Sequence, residues 1–311
     1  MHALLVVNPK ATTASPRTRD VLARALASEV SLTVEHTKGR GHATELAAKA
    51  TQDGVGIVVA FGGDGTVNEV VNGVLEAGAD QPLIGVVPGG STNVFSRAVG
   101  LPRNPVDATG MLLDALDANR SRTVSLGRLN DRWFTFCAGF GIDAEVIHRV
   151  ERARRRGKTS TGPLYLRLAV AQFFNSKARS GAHISISANE GTLMEPDNAR
   201  DKKIAMAIVQ NTAPWTYLGS QEIHACPDAS FDTGLELFGM QSLPLGYSAL
   251  TGFRMLSGGA MSGGSVVRLH DAAGFELSAD MPLAAQVDGE YIGEATRLRF
   301  SSRLKAIRVA V

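Results

Sequence analysis

A chain of 311 residues is long for one hydrophobic core, so two domains are expected. With 44% hydrophobic and 20% charged residues the composition is that of an ordinary globular protein, and a formal net charge of only +2 gives no reason to expect nucleic acid as a partner. Two cysteines, Cys137 and Cys226, are too few for a disulfide framework and lack metal-ligand spacing, so they read as buried thiols in a reducing, cytoplasmic compartment.

The chain opens with MHALLVVNPK, whose apolar core of about six residues has no basic region before it and is too short for a signal-peptide h-region. No stretch approaches the roughly 18 apolar residues of a membrane span, so membrane contact is expected to be peripheral. Ala3 to Val7 reads as a buried strand ended by the turn pair Asn8-Pro9. A helix over Arg17 to Ser28, a strand over Leu32 to His36 and a helix over Gly41 to Ala50 follow. In that second helix Ala43, Leu46, Ala47 and Ala50 share a face. Ile57 to Phe61 is a third strand and Leu83 to Val87 a fourth, each followed by a glycine-rich turn. Strands alternating with helices predict a doubly wound parallel sheet of the α/β class over residues 1–122. Ligands collect at the carboxyl ends of such strands. Those ends are Asn8, Thr37, Gly62 to Thr66 and Pro88 to Asn93.

The most informative turn is Gly62-Gly63-Asp64-Gly65-Thr66, where three glycines let backbone amides approach a phosphate. Asp64 would repel that phosphate unless a divalent cation stood between them, which suggests a metal-bound nucleoside polyphosphate. The alternative is a tight turn in which Asp64 or Thr66 caps the helix. In that helix Val67, Val70, Val71, Val74 and Leu75 form the stripe facing the sheet, leaving Asn68, Glu69, Asn72 and Glu76 on the opposite face.

After the helix Pro105 to Leu116 the pattern turns to alternating polar and apolar residues, as in Arg132 to Phe136, His183 to Ser187 and Leu235 to Phe238. Residues 123–311 are therefore expected to form an antiparallel, sandwich-like β domain, whose last strands can return to the first. Helices are expected at Ala144 to Arg155 and Leu164 to Ser176. Asp228 and Asp232, four apart before a glycine turn, suit Mg²⁺ or Ca²⁺ about as well as a hairpin with solvated carboxylates. Gln286-Val287-Asp288-Gly289-Glu290 reads as a hairpin turn, with a carboxylate beside it that can act as a general base if it reaches the crevice. The basic run Arg149 to Lys158 is read as a solvated helix end in preference to a lipid-headgroup patch. Phe173, Phe174, Trp215 and Leu218 are read as core rather than an acyl pocket.

Taken together, the order and spacing of these pieces resemble the diacylglycerol kinase catalytic-domain family of lipid kinases, which includes sphingosine kinases and soluble bacterial lipid kinases. The resemblance is carried by Asn8-Pro9, by Gly62 to Thr66 followed by Asn68-Glu69, and by Pro88-Gly89-Gly90-Ser91-Thr92-Asn93 with Arg97 behind it. It continues through Asn211, the Asp232 and Gly234 turn, and Asp288-Gly289-Glu290. It implies a two-domain enzyme that binds Mg-ATP between an α/β and a β-sandwich domain and phosphorylates a lipid hydroxyl, first of all that of diacylglycerol. On that resemblance Gly62, Gly63, Gly65, Thr66 and Asp64 would hold the triphosphate and its Mg²⁺. Asn8, Thr37, Asn68, Glu69, Gly89, Gly90, Ser91 and Asn93 would line the nucleotide site. Glu290, with Asp288 beside it, would take the proton from the lipid. The acceptor would be met at a membrane surface, and a homodimer is compatible with the family. A second Mg²⁺ near an Asp-Asp-Gly turn is common in the family, and this chain reads Asp232-Thr233-Gly234, one carboxylate short. The competing readings are an NAD kinase, which uses a similar Gly-Gly-Asp-Gly turn on a nucleotide acceptor, and a catalytically silent lipid-binding regulator.

Overall fold

The computed structural model describes residues 1–12, 15–78, 81–155, 181, 183–189, 192–196, 202–242 and 265–311. The expected helix at Leu164 to Ser176, Phe173, Phe174 and the last residues of the basic run lie outside them. The chain forms two compact units, Met1–Val124 with Lys305–Val311, and Ser125–Leu304.

In the first unit β1 (His2–Val7), β3 (Ile57–Gly62) and β4 (Leu83–Pro88) are almost wholly buried, as continuous apolar runs demand. The strand β2 (Ser31–His36) is an exposed edge. Their order is β2-β1-β3-β4, all parallel. The last strand, β16 (Glu290–Val309), brings its end beside β4, with Val309 opposite Ile84 in parallel register. Because the chain leaves β1 toward β2 and later places β3 on the other side, the strand order reverses between β1 and β3. That reversal opens a crevice at their carboxyl ends.

Helices cover both faces. The helix α1 (Pro16–Ala27) starts with Ser15 Oγ accepting from Thr18 N at 3.1 Å, and α5 (Pro105–Asp117) with Asn104 Oδ1 accepting from Val106 N at 2.8 Å; each has proline in its first turn. Leu22 and Leu26 of α1 and Leu112 and Ala115 of α5 pack with Leu5, Val7, Val59 and Phe61 in one core. Strand alternation turns Leu4, Val6, Val58 and Ala60 to the opposite face, where α2 (His42–Gln52) and α3 (Asp64–Glu76) pack on each other and on β1 and β3. The two helices approach so closely that a Cβ on Gly73 would lie 2.2 Å from the Thr44 carbonyl oxygen. This packing corrects the expected polar face of α3: Asn68 and Asn72 are 1% and 6% exposed. Asn72 satisfies itself within the helix, its Nδ2 donating to Asn68 O at 2.8 Å.

Among the described residues of the second unit the strand pairings with a defined register are antiparallel. The elements are β5 (Arg122–Leu129), β6 (Arg132–Phe134), β7 (Cys137–Phe140), α6 (Ile142–Arg155), β8 (Ile184–Ala188), β9 (Leu193–Glu195), β10 (Met206–Gln210), β11 (Thr216–Leu218), β12 (Gln221–Ile223), β13 (Leu235–Met240), β14 (Val266–Ala272), β15 (Gly274–Val287) and β16. The main sheet runs β16-β15-β7-β10-β13-β14-β9. The long β15 changes register with β16 between Ser278 and Leu283; before the shift it pairs with β8 and after it with β7, so one bent strand serves two layers. Alternate residues of β10 enter different cores. Ala207 and Val209 join Phe140, Leu237, Phe275 and Val287, while Met206 and Ile208 join Ile142, Phe238 and Cys226. Both thiols are buried and form no disulfide, and burial pushes that of Cys226 far up, consistent with inert core residues.

Candidate active site

Three backbone hydrogen bonds align the strand ends of the first unit. Thr37 N donates to Val7 O at 2.9 Å, Asn8 N to Phe61 O at 2.9 Å and Gly89 N to Gly62 O at 2.7 Å. The loops after β2, β1, β3 and β4 are therefore neighbours, and Thr37, Asn8, Gly62 to Thr66 and Gly89 to Asn93 meet at one edge. The two glycine pairs serve each other. A Cβ on Gly89 would lie 3.0 Å from Gly62 Cα, and one on Gly90 would lie 2.8 Å from Gly63 Cα. Their absent side chains let two loops touch backbone to backbone, whereas Gly65 is exposed with nothing within 4 Å of its Cβ position. Of the three turn glycines, Gly65 is thus the one that leaves room for a ligand at the start of α3, where the helix dipole favours an anion.

The polar residues of this corner divide by what they touch. Asp64, half-buried in the first turn of α3, accepts from Phe95 N at 3.0 Å through Oδ1. The N-cap of its helix, Gly63, has no side chain to cap it. Asp64 ties the glycine corner to α4 (Val94–Ala98). Asn8 Nδ2 donates to Thr66 Oγ1 at 3.2 Å and Asn8 Oδ1 accepts from Lys10 N. Asn93 stands at φ 51° and closes its own loop, accepting from Gly90 N at 2.9 Å and donating to Gly90 O at 2.8 Å. Ser91 at the tip is exposed, and Thr37 is half-buried. Glu69 behaves differently from its expected nucleotide role. Its two carboxylate oxygens accept from Gly41 N at 2.9 Å and Ala43 N at 3.1 Å, supplying the cap that α2 lacks. Asn68, 1% exposed, is an internal residue of α3.

In the second unit Asp288 and Gly289 are the two central residues of the β15–β16 hairpin, both at positive φ, 48° and 75°. Positive φ at both positions is the requirement of the two-residue turn that matches strand twist. The Asp288 carboxylate then reaches the chain between β6 and β7. Oδ2 accepts from Thr135 N at 2.7 Å and Thr135 Oγ1 at 2.8 Å, and Oδ1 from Phe136 N at 3.0 Å and Cys137 N at 3.1 Å. Burial pushes this carboxyl above the ordinary range and the Thr135, Phe136 and Cys137 donors pull it back. Three of the donors are amides that can only donate, so they call for acceptors on both oxygens. The Asp288 carboxylate therefore anchors the chain between β6 and β7 through four accepted hydrogen bonds. Asn211 holds the same loop, its Nδ2 donating to Ser125 O at 2.7 Å and Thr135 O at 3.1 Å.

Glu290 leaves the turn with its side chain 20% exposed and ion-paired with Arg132 Nη2 of β6. A partly accessible carboxylate on a rigid turn, oriented by a guanidinium, is what a general base requires geometrically. Arg132 escapes sequence reading because nothing in its own neighbourhood marks it. A second residue that sequence reading misses is Asp143, near the start of α6, which accepts from Gln286 Nε2 at 2.8 Å. It is 6% exposed, and burial pushes its pKa to about 6 against the opposing Gln286 hydrogen bond.

Asp228 and Asp232 are exposed, and Asp232 N bonds to Ser230 Oγ within its own turn. Among the described residues no three His, Cys, Asp or Glu side chains gather as metal ligands; Asp228 and Asp232 are two exposed carboxylates on one turn. Trp215 packs beside the Phe238 core as expected, but Leu218 is 38% exposed and is not core.

Comparison with known proteins agrees with this geometry. Residues 2–129 match the family model of the diacylglycerol kinase catalytic domain. A probable lipid kinase YegS-like protein of Chromohalobacter salexigens is 28% identical over 232 residues, covering 74% of this chain and 68% of that protein. The diacylglycerol kinase of Bacillus subtilis is 36% identical over 110 residues, and that of Staphylococcus haemolyticus 35% over 127 residues. The matched stretch spans only 35% and 36% of the length of those two enzymes. A putative diacylglycerol kinase of Bacillus anthracis superposes with a TM-score of 0.76 at 20% identity, covering 99% of this chain and 96% of that one, which establishes a shared fold. Over residues 2–129, the chain is similar to the diacylglycerol kinase catalytic domain.

Proposed function

We propose that the protein is an ATP-dependent lipid kinase that transfers the γ-phosphate of Mg-ATP to the hydroxyl of diacylglycerol, giving phosphatidic acid. The observation that carries the reading is the corner at the β1–β3 reversal. There two glycine pairs pack backbone to backbone, leaving Gly65 open at the start of α3 and Asp64 alongside.

Phosphoryl transfer asks a protein mainly for positioning and charge neutralisation, with one carboxylate orienting the nucleophile. The amides at the start of α3 receive the phosphates, and Asn8, Thr37 and Ser91 at the adjoining strand ends contact the nucleotide. Asp64 is the residue that would hold Mg²⁺. The fit is physically sound, because Mg²⁺ is commonly bound through one or two carboxylates together with substrate phosphates and needs no cage of protein ligands. When bound, the ion neutralises charge on the transferring phosphoryl group. Glu290 takes the acceptor's hydroxyl proton as the new oxygen–phosphorus bond forms and the bond to the β-phosphate oxygen breaks, leaving ADP. Arg132 fixes the orientation of Glu290, and Asp288 fixes the turn that carries it. The acceptor is met peripherally at a membrane surface; among the described residues no helix is long and apolar enough to cross one.

The test at the nucleotide end is Asp64→Ala. Lipid-dependent ATP turnover is expected to fall by about 10²–10³-fold, by the scale of losing an electrostatic stabiliser, and excess Mg²⁺ should restore little of it. Turnover equal to wild type would leave a catalytically silent lipid-binding regulator as the better reading.

A further inference from the structure

The Asp288 network accounts for one side of the β15–β16 turn. It does not account for the two backbone amides that flank Glu290, and both of these lead to α6. On the N-terminal side Gly289 N donates to Gln286 Oε1 at 2.9 Å, while Gln286 Nε2 donates to Asp143 Oδ2 at 2.8 Å and lies 3.6 Å from Cys137 Sγ. On the C-terminal side Tyr291 N donates to Glu151 Oε1 at 3.0 Å, and the Tyr291 ring meets that of His148 edge-on with centroids 4.1 Å apart. Asp143, His148 and Glu151 all belong to α6.

We infer that Asp143 is a positioning residue for Glu290, acting through the amide of Gln286, and that α6 thereby sets the orientation of the carboxylate that receives the acceptor's proton. The inference rests on the kinase reading for its functional consequence and on hydrogen-bond chemistry for its mechanism. A glutamine amide has a donor end and an acceptor end. Asp143 offers an acceptor, so the NH₂ of Gln286 turns toward it and the oxygen turns toward Gly289 N–H. Without an acceptor at Asp143 the amide is free to reverse. Its NH₂ would then face the Gly289 donor, and the turn would lose a bond next to Glu290. The strand beside this carboxylate is shaped to admit it: a Cβ on Gly139 of β7 would lie 1.9 Å from Asp143 Oδ2. Placing a carboxyl where burial raises its pKa is costly, and such groups concentrate at functional sites.

The experiment compares Asp143→Asn, Asp143→Leu and Gln286→Leu in the full chain. It measures kcat and KM for ATP with diacylglycerol vesicles, and amide hydrogen exchange of the peptide spanning Gln286 to Tyr291. Asparagine keeps an acceptor oxygen, so Asp143→Asn is expected to stay within about 3-fold of the wild-type kcat. The two leucine variants should lose about 10-fold or more in kcat with KM for ATP unchanged within about 2-fold, a pattern of lost transition-state interaction. In both, the turn peptide should exchange faster than in wild type. Should Asp143→Leu fail to fold, Gln286→Leu carries the test alone, since it leaves the α6 carboxyl in place. The inference is overturned if Gln286→Leu keeps wild-type kcat and exchange, if Asp143→Asn falls as far as Asp143→Leu, or if the loss appears only in KM. Faster exchange in the leucine variants of a protein that phosphorylates no lipid would uphold the link and reject the kinase reading instead.

Discussion

Glu290→Gln is expected to lower kcat by about 10²–10⁴-fold while leaving KM for ATP nearly unchanged, the range for loss of a positioned general base. The substitution is close to isosteric, and a glutamine oxygen can still accept from Arg132 Nη2, so the pairing that orients residue 290 survives in weaker form. What disappears is the basic oxygen. Turn geometry depends on Asp288, Gly289 and their partners, which the change leaves alone. The thermal midpoint should therefore stay within a few degrees of wild type, which separates lost chemistry from lost structure. Steady-state transfer of label from ATP to lipid checks this; a variant retaining full rate removes Glu290 from the mechanism.

Asp288→Ala should have the largest effect on folding. Three backbone amides and the Thr135 hydroxyl lose their common acceptor in a place where the side chain is 6% exposed. Each buried donor left unsatisfied costs about 1–3 kcal/mol. The hydroxyl can rotate to another acceptor and the loop can relax, so a loss of about 3–5 kcal/mol is expected rather than the full sum. Alanine also replaces a residue that tolerates φ of 48° with one that does not. Urea denaturation should show the midpoint falling, with activity falling alongside because Glu290 is no longer held. A loss under about 1 kcal/mol would mean that the 135–137 loop is supported elsewhere.

Much of the first unit is legible because its signals are local. Apolar runs rich in Val, Leu and Ile give β1, β3 and β4; Ser15-Pro16 and Asn104-Pro105 mark where α1 and α5 begin. The misreading of α3 shows where this stops. Asn68 and Asn72 look solvated on a helical wheel, yet the polar face is covered by α2 through the small residues Ala47 and Gly73. Nothing near residue 68 reports that. The same limit governs the sites. Asp288-Gly289 is readable as a turn, but the donors that turn Asp288 into a loop anchor lie more than 150 residues earlier in the chain. Likewise Asp64 finds Phe95, Glu69 finds the start of α2, and Asp143 finds Gln286, each across a span that neither composition nor spacing encodes. Sequence motifs indicate where polar residues gather; contacts between distant residues decide which carboxylate is tied into the frame and which stays partly open.

The most direct test of the central claim is transfer of label from γ-labelled ATP, with Mg²⁺, to mixed vesicles carrying diacylglycerol, ceramide, sphingosine, monoacylglycerol or polyprenol, with NAD in parallel. Labelled phosphatidic acid from the diacylglycerol vesicles, absent with Glu290→Gln, is the predicted result. Phosphorylation of NAD with no labelled lipid would contradict it.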